Sequence, residues 1–335
     1  MERHPALRAG WGRVGATRGV NAPRCRSLIF MRIVILGSAG FIGGAAARAL
    51  RGTRHRVYAL SRADADLRDA KAVRAAFLKA RPDAILNFAD HKGGVAYVGA
   101  HQAEVMRDNL ALALALYRAA SEAAPRARII NPLSHCSYPG DRGALREEEW
   151  LDGAVHESIF AHGNAKRALY YIASSYAKQY GIRSVNFLLP GVFGPGDQKN
   201  PLRTHALNGM IIRMIQAKRN NEKAFEIWGT GKPVRDWVYI DDIVRLLLKG
   251  LTTKHDLLYP LNLAGGTGYS IKRTAEIIAE ELPYRGRLVF NTAYPDGAPK
   301  KVLDTRRFRK VFPRYSFTDF RSGIREAISY YESVL

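Results

Sequence analysis

Arg32-Ile-Val-Ile-Leu36 leads directly into Gly37-Ser38-Ala39-Gly40-Phe41-Ile42-Gly43, and an Ala-rich run continues to Leu50. The β-branched pentapeptide reads as a buried parallel strand, and the glycine-rich segment after it reads as a tight turn opening a helix. Gly37 and Gly40 let the backbone turn and approach a diphosphate, which the helix N-terminus attracts, while Gly43 permits close helix–strand packing. Turns need glycine anyway, so glycines alone say little. Their place between a strand and a helix predicts a dinucleotide site over Gly37, Ser38, Ala39, Gly40, Phe41, Ile42 and Gly43.

Working outward, Arg56-Val-Tyr-Ala-Leu60 forms the next strand and ends in Ser61-Arg62. A carboxylate there would hold a ribose 2′-hydroxyl. A guanidinium suits a 2′-phosphate through charge-assisted hydrogen bonds, so Arg62 predicts NADP(H), the alternative being a solvated surface arginine. Asp66 and Leu67 follow where a side chain or backbone meets adenine. A helix over 70–80, a strand over 84–88 and a loop opening at Ala89-Asp90 complete an alternation that predicts an α/β fold with a doubly wound parallel sheet. Residues 105–120 are apolar almost all round. That helix should be buried on two sides, by the sheet and by a second subunit, which makes a homodimer the expectation.

The 335 residues are 47% hydrophobic and 24% charged, which excludes disorder, and two cysteines exclude a disulfide scaffold. No apolar run approaches the ~20 residues of a membrane span, so the expectation is a soluble, cytoplasmic protein without a membrane partner. Fifty-two basic residues against 30 acidic ones give a net charge of +22. Residues 1–30 carry +5 of it, leaving +17 spread along the rest without an aromatic ladder. An anionic small molecule, rather than nucleic acid, is the expected partner. The leader itself, Arg-rich and without periodicity, reads as a transit-like or non-native extension outside the fold, and Cys25 falls within it. The nine histidines show no metal-ligand spacing, so no metal is predicted.

A strand over 128–133 delivers Ser134-His135-Cys136-Ser137-Tyr138-Pro139 to the carboxyl edge of the sheet, where open α/β folds bind ligands. His162 and Lys166 lie one turn apart on a helix that runs to Tyr180, so both reach the same point. A further strand, 184–189, ends at Pro190-Gly191. Taken alone, Cys136 reads as inert packing and His205 as a core or surface histidine.

These pieces, in this order, resemble the extended short-chain dehydrogenase/reductases, a Rossmann family, and most closely their GDP-L-fucose synthase branch. The likeness runs over nearly all of 31–335. It is carried by Gly37–Gly43, His91-Lys-Gly-Gly-Val95, the run from Ser134 to Pro139, Gly194-Pro195-Gly-Asp197, Ile227-Trp-Gly-Thr-Gly231, Arg235-Asp-Trp-Val-Tyr-Ile-Asp-Asp242 and 295–304. The resemblance implies epimerisation of a 4-keto nucleotide sugar at C3 and C5, followed by C4 reduction with NADPH. It implies that Ser134 holds the C4 oxygen, that Cys136 and His205 exchange protons at the epimerised carbons, and that Lys166 binds the nicotinamide ribose. It also implies that Ala89, Pro190 and Val192 line the cofactor site, and that His205, Trp228, Arg235 and Lys300 meet the substrate. The chemistry itself wants such groups. Protons α to a ketone are acidified, and a thiol beside cations is a competent base.

The chain departs from that pattern where the family has Tyr-x-x-x-Lys, which reads His162-x-x-x-Lys166. An imidazolium is a far stronger acid than a phenol, but a lysine one turn away disfavours it, so His162 is expected to be largely neutral. Three readings stand. His162 replaces the tyrosine; another tyrosine such as Tyr138 serves; or reduction is lost, leaving an epimerase or an inactive NADP-binding protein. Gly191 and Phe193 replace Asn and Tyr, which puts the sugar pocket in doubt. His135-Cys136 is not the Asp-Glu pair of nucleotide-sugar dehydratases.

The expected organisation is a cofactor domain over 31–190, completed by 236–265, and a smaller substrate-binding lobe from 191–235 and 266–335. In that lobe Lys300, Lys301 and Arg306 either face a diphosphate or form a solvated basic face.

Overall fold

The computed structural model describes residues 30–335 apart from Asp141 and Leu202. The predicted extension, Phe30 excepted, lies outside the described residues, and so does Cys25. The first half alternates as expected: β1 (Arg32–Leu36), α1 (Phe41–Leu50), β2 (Arg56–Leu60), α2 (Ala70–Ala80), β3 (Ala84–Asn87), α3 (Val95–Ala100), α4 (Gln102–Ala123), β4 (Arg128–Ser134), α5 (Phe160–Tyr180) and β5 (Arg183–Leu189). Next come β6 (Gly191–Phe193), α6 (Ala206–Arg219), β7 (Ala224–Trp228), β8 (Val234–Tyr239), α7 (Ile240–Lys249) and β9 (Leu261–Asn262). The chain ends with β10 (Gly268–Ser270), α8 (Ile271–Glu281), β11 (Arg287–Asn291), β12 (Lys300–Lys301), α9 (Arg306–Val311) and α10 (Phe320–Val334).

Six strands form one sheet in the order β2-β1-β3-β4-β5-β9, every pair parallel. Side chains alternate across a strand, so β1 reveals what covers each face. Val34 and Leu36 join Val73, Phe77 and Leu116 from α2 and α4. Ile33 and Ile35 join Phe41, Ala45, Ile243 and Leu247 from α1 and α7. Helices therefore cover both faces, which is why the strands read as continuous apolar runs.

Order reverses at β1, whose neighbours are β2 on one side and β3 on the other. At this switch point a crevice opens beyond the carboxyl ends of the strands. The Gly37 turn and the loop after β3 both lie there. Gly37 adopts φ +78°, and a Cβ on it would come within 2.6 Å of the Ala89 nitrogen. A Cβ on Gly43 would come within 2.2 Å of the Gly37 carbonyl. Only glycines allow α1 to begin this close to the strand ends.

The second half differs from expectation in two places. β8, placed at the start of the returning segment, pairs instead with β6, β10 and β12 in a separate small sheet; only α7 and β9 rejoin the first. Phe308 of α9 is buried with the α1–α7 face, and Phe312, Tyr315 and Phe317 pack beside it, so the C-terminal segment crosses back onto the cofactor half. The lobe keeps its own core around Phe193, Leu207, Phe225, Ile278 and Tyr331. No helix among the described residues is long and apolar enough to cross a membrane.

Candidate active site

β4 ends at Ser134, whose Oγ accepts from the Cys136 amide at 3.1 Å and starts a short 3-10 helix over His135–Ser137. That turn holds the thiol at the carboxyl edge. Helix α5 is pressed against it because residue 163 is glycine; a Cβ there would lie 2.5 Å from the Cys136 carbonyl oxygen. The close approach makes His162 a neighbour of the thiol, whose pKa it helps to lower.

Cys136 is ringed by basic side chains. Lys301 Nζ is 3.6 Å from Sγ, and His135, His162 and Arg235 face the same sulfur. Burial alone would push the thiol up. Lys301, then His135 and His162, outweigh it, and the group is held well below its ordinary value. This is the thiolate-favouring setting that a proton-abstracting cysteine needs.

The second cluster forms around Asp90, in the loop after β3. Its Oδ2 accepts from His162 Nε2 at 3.2 Å and from Lys166 Nζ at 3.1 Å. This reverses the expectation for His162. Burial and Lys166 do push the imidazole down, but Asp90 and the Cys136 sulfur more than compensate, and its pKa is raised. Asp90 itself, despite its burial, is held below the usual carboxylate range by Lys166 and His162. Its Oδ1 is buried with no hydrogen-bond partner among the described residues. Tyr138, the alternative acid, is buried, its hydroxyl donates to Asn262 Oδ1 at 2.9 Å, and burial drives its pKa up.

His205 lies at the start of α6. Asp197 Oδ2 accepts from its Nδ1 at 2.6 Å and from its amide at 2.9 Å, and Lys92 Nζ hydrogen-bonds its Nε2. Burial and then Lys92 push the imidazole below its ordinary value, against Asp197. Lys92 also acts electrostatically on Cys136 and Asp90, so the His205 and Cys136 clusters belong to one site.

The lobe supplies the remaining wall. Arg235 in β8 is paired in register with Lys301 in β12, and in parallel strands such partners share a face. Lys301 therefore turns toward the thiol. Lys300, named from the sequence as a substrate ligand, alternates to the other face and is exposed. Arg306 is exposed too and pairs with Asp304 at 3.0 Å. Trp228 stacks on Tyr294 at 4.8 Å, with the Arg213 guanidinium 4.0 Å over its ring. Asp296 ties that platform to the site by accepting from Thr230 and, through its carbonyl, from Arg235. At Gly191 a Cβ would sit 2.3 Å from the Trp237 ring, so the indole fills the space where a larger side chain would point.

At the cofactor crevice, α1 begins at Gly40 with no side-chain cap, leaving its first amides to a ligand. Ser38, Ala39 and Gly40 are accessible, whereas Phe41 packs into the core and against the His205 ring at 4.9 Å. Arg62 is exposed beside Asp66 at the end of β2; Leu67 is a core residue that can offer only backbone. Pro190 and Val192 are buried at the end of β5 and in β6. A cradle closed by glycines, uncapped amides and an unpartnered buried carboxylate oxygen fit a dinucleotide.

Sequence reasoning missed Asp90, Lys92 and Asp197 as functional groups. Their signals were present: two charged residues immediately after a buried strand, and an aspartate closing a Gly-Pro-Gly turn eight residues before His205.

Residues 33–260 match the family model described as NAD-dependent epimerase/dehydratase. A probable GDP-L-fucose synthase of Drosophila melanogaster is 28% identical over 277 residues, covering 80% of this chain and 86% of its own. The GDP-L-fucose synthase of Escherichia coli is 28% identical over 295 residues, 84% of this chain and 90% of its own. A GDP-L-fucose synthetase from Naegleria fowleri, solved with NADP bound, superposes with a TM-score of 0.80 at 25% identity, covering 90% of this chain and 94% of its own. The glycine turn, the carboxyl-edge cysteine and the match over most of the chain converge: it belongs to the NAD-dependent epimerase/dehydratase family.

Proposed function

We propose that the protein is an NADP(H)-dependent epimerase and 4-ketoreductase of a GDP-4-keto-6-deoxy sugar, inverting C3 and C5 through Cys136 and His205 and reducing C4 with His162 in the tyrosine's place. One observation carries this reading. A thiol whose pKa is driven down sits beside an imidazole whose pKa is raised by Asp90, at the strand end that adjoins the dinucleotide crevice. A pure epimerase has no need of the second group, and a pure reductase has no need of the first.

Gly37–Gly43 and the α1 amides would hold the diphosphate of NADP(H), Arg62 its 2′-phosphate, and Lys166 with Asp90 the nicotinamide ribose. Bound there, NADPH supplies the hydride for C4. Ser134 Oγ uses a lone pair on the Cys136 amide and keeps its O–H to donate to the C4 oxygen, acidifying the neighbouring C–H bonds. The Cys136 thiolate takes a proton from one face and the His205 side returns one to the other. His162 gives its proton to the developing C4 alkoxide while Asp90 stabilises the charged ring. Arg235 and Lys301 balance the anionic substrate, and Trp228 offers the base a stacking surface.

The reading includes a homodimer through α4 and α5, whose outer faces leave Leu114 52% and Tyr171 54% exposed. The other side of α4 packs against α2 and α5 and, through Leu116 and Tyr117, joins Val34, Ile85 and Ile129 of the sheet. Light scattering on Leu114→Arg should report a monomer.

The test is incubation with GDP-4-keto-6-deoxymannose in deuterated water, with and without NADPH, read by mass and NMR. Deuterium at C3 or C5 without NADPH, then C4 reduction on its addition, is expected. Exchange without reduction would limit the protein to epimerisation. Neither exchange nor reduction would overturn the reading.

A further inference from the structure

Asp197 Oδ2 accepts from four donors: His205 Nδ1 at 2.6 Å, the His205 amide at 2.9 Å, Thr204 Oγ1 at 2.5 Å and Asn208 Nδ2 at 3.2 Å. An oxygen so committed is an ionised acceptor, which assigns the Nδ1 proton of His205. Only Nε2 is left to change protonation, and it is already hydrogen-bonded to Lys92 Nζ. One nitrogen of that bond must donate and the other accept, so an imidazolium and an ammonium cannot both be present.

We propose that the acid opposite Cys136 is a Lys92–His205 pair sharing a single proton, with Lys92 Nζ as the end that delivers it; the substrate invoked, though not the pair, rests on the epimerase reading above. The surroundings favour that arrangement. Lys92 faces Asp197, Asp90, Lys166 and Cys136; His205 faces Lys92, Asp197 and Asp90, with the Phe41 ring at 4.9 Å against it. Burial works against a second positive charge in either group, and both are pushed below their ordinary values. Lys92 has the thiol among its electrostatic neighbours, which places its ammonium in the same site as the base that takes the proton from carbon.

The step balances without a further reagent. A C–H bond breaks, its proton goes to Sγ and its electron pair into the enolate. A new C–H bond then forms on the opposite face with the Nζ proton, leaving a neutral amine hydrogen-bonded to His205. Water takes the thiol proton and returns one to the pair.

The test is 15N-histidine NMR of the full chain, with the His205 signals assigned by their loss in His205→Asn, for wild type, Lys92→Met and Lys92→Arg. In wild type His205 should stay in the neutral Nδ1–H form between pH 6 and 8. Lys92→Met removes the competing charge while Asp197 remains, so His205 should titrate at higher pH. In Lys92→Arg it should stay neutral. An unchanged titration in Lys92→Met would overturn the pair. Deuterium incorporation should fall about 10²-fold or more in both variants, because a guanidinium keeps the charge but not the transferable proton. Wild-type exchange in Lys92→Arg would overturn the delivering role. If wild type exchanges nothing, the epimerase reading fails while the NMR still decides the pair.

Discussion

Asp90 Oδ2 lies between His162 Nε2, at 3.2 Å, and Lys166 Nζ, at 3.1 Å. One carboxylate thus makes compatible two cations that would otherwise repel, and it raises the pKa of the imidazole that the proposal puts in the phenol's place. A His whose folded pKa is raised keeps its proton further up the pH scale and loses it as pH rises through that value. Asp90→Asn removes the anion, so the descending alkaline limb of C4 reduction should shift to lower pH. His162→Asn should lower reduction by about 10²–10⁴-fold. Deuterium exchange at Cys136 should persist in His162→Asn, with its onset moved to higher pH because the thiol loses a neighbour that lowers it. NADPH oxidation and exchange, each followed against pH, separate the two effects.

Lys301 Nζ stands 3.6 Å from Cys136 Sγ and is the leading opponent of burial at that thiol. Lys301→Met should therefore raise the thiol's pKa and shift the pH dependence of iodoacetamide alkylation upward. Mass spectrometry on a Cys25→Ser background reads Cys136 alone. An alkylation profile identical to wild type would show that Lys301 does not control the thiolate.

Arg62 lies two residues beyond β2, exposed beside Asp66, where a second phosphate would engage it. Hydrogen bonds to charged groups contribute about 1.5–3 kcal/mol, so Arg62→Ala should weaken NADPH binding by about 10–150-fold and leave NADH nearly unchanged. Fluorescence titration with both nucleotides measures the ratio. Equal losses would assign Arg62 no part in selecting the phosphate.

Asp236 is 1% exposed, and burial pushes its pKa up to about 7. The folded state therefore holds a proton that the unfolded chain releases near pH 4. Stability from this group is present at low pH and is lost as pH rises toward 7, where it levels off. Asp236→Asn should match wild type near pH 4 and melt higher at pH 8, by on the order of a few kcal/mol. Thermal melts of both proteins across pH 4–8 test it. A constant difference would mean the carboxyl does not titrate in that range.

Much of this molecule was legible in one dimension. The β-branched run at 32–36, the glycines after it and the β-α alternation determine a doubly wound sheet, because strand burial and turn geometry are local consequences of residue type and spacing. His162 and Lys166 share a face through helical periodicity alone, and Arg62 follows its strand directly. What the sequence did not determine is how charges from separate elements meet. Asp90 joins His162 across 72 residues, Lys92 joins His205 across 113, and Lys301 reaches Cys136 across 165. The protonation state of each acid or base depends on those distant partners, since electrostatic coupling acts through space and strengthens where water is excluded. Considering Lys166 alone made His162 neutral; packing placed Asp90 against both and reversed the sign. Likewise, which of Lys300 and Lys301 faces the thiol was decided only by the register of β12 on β8.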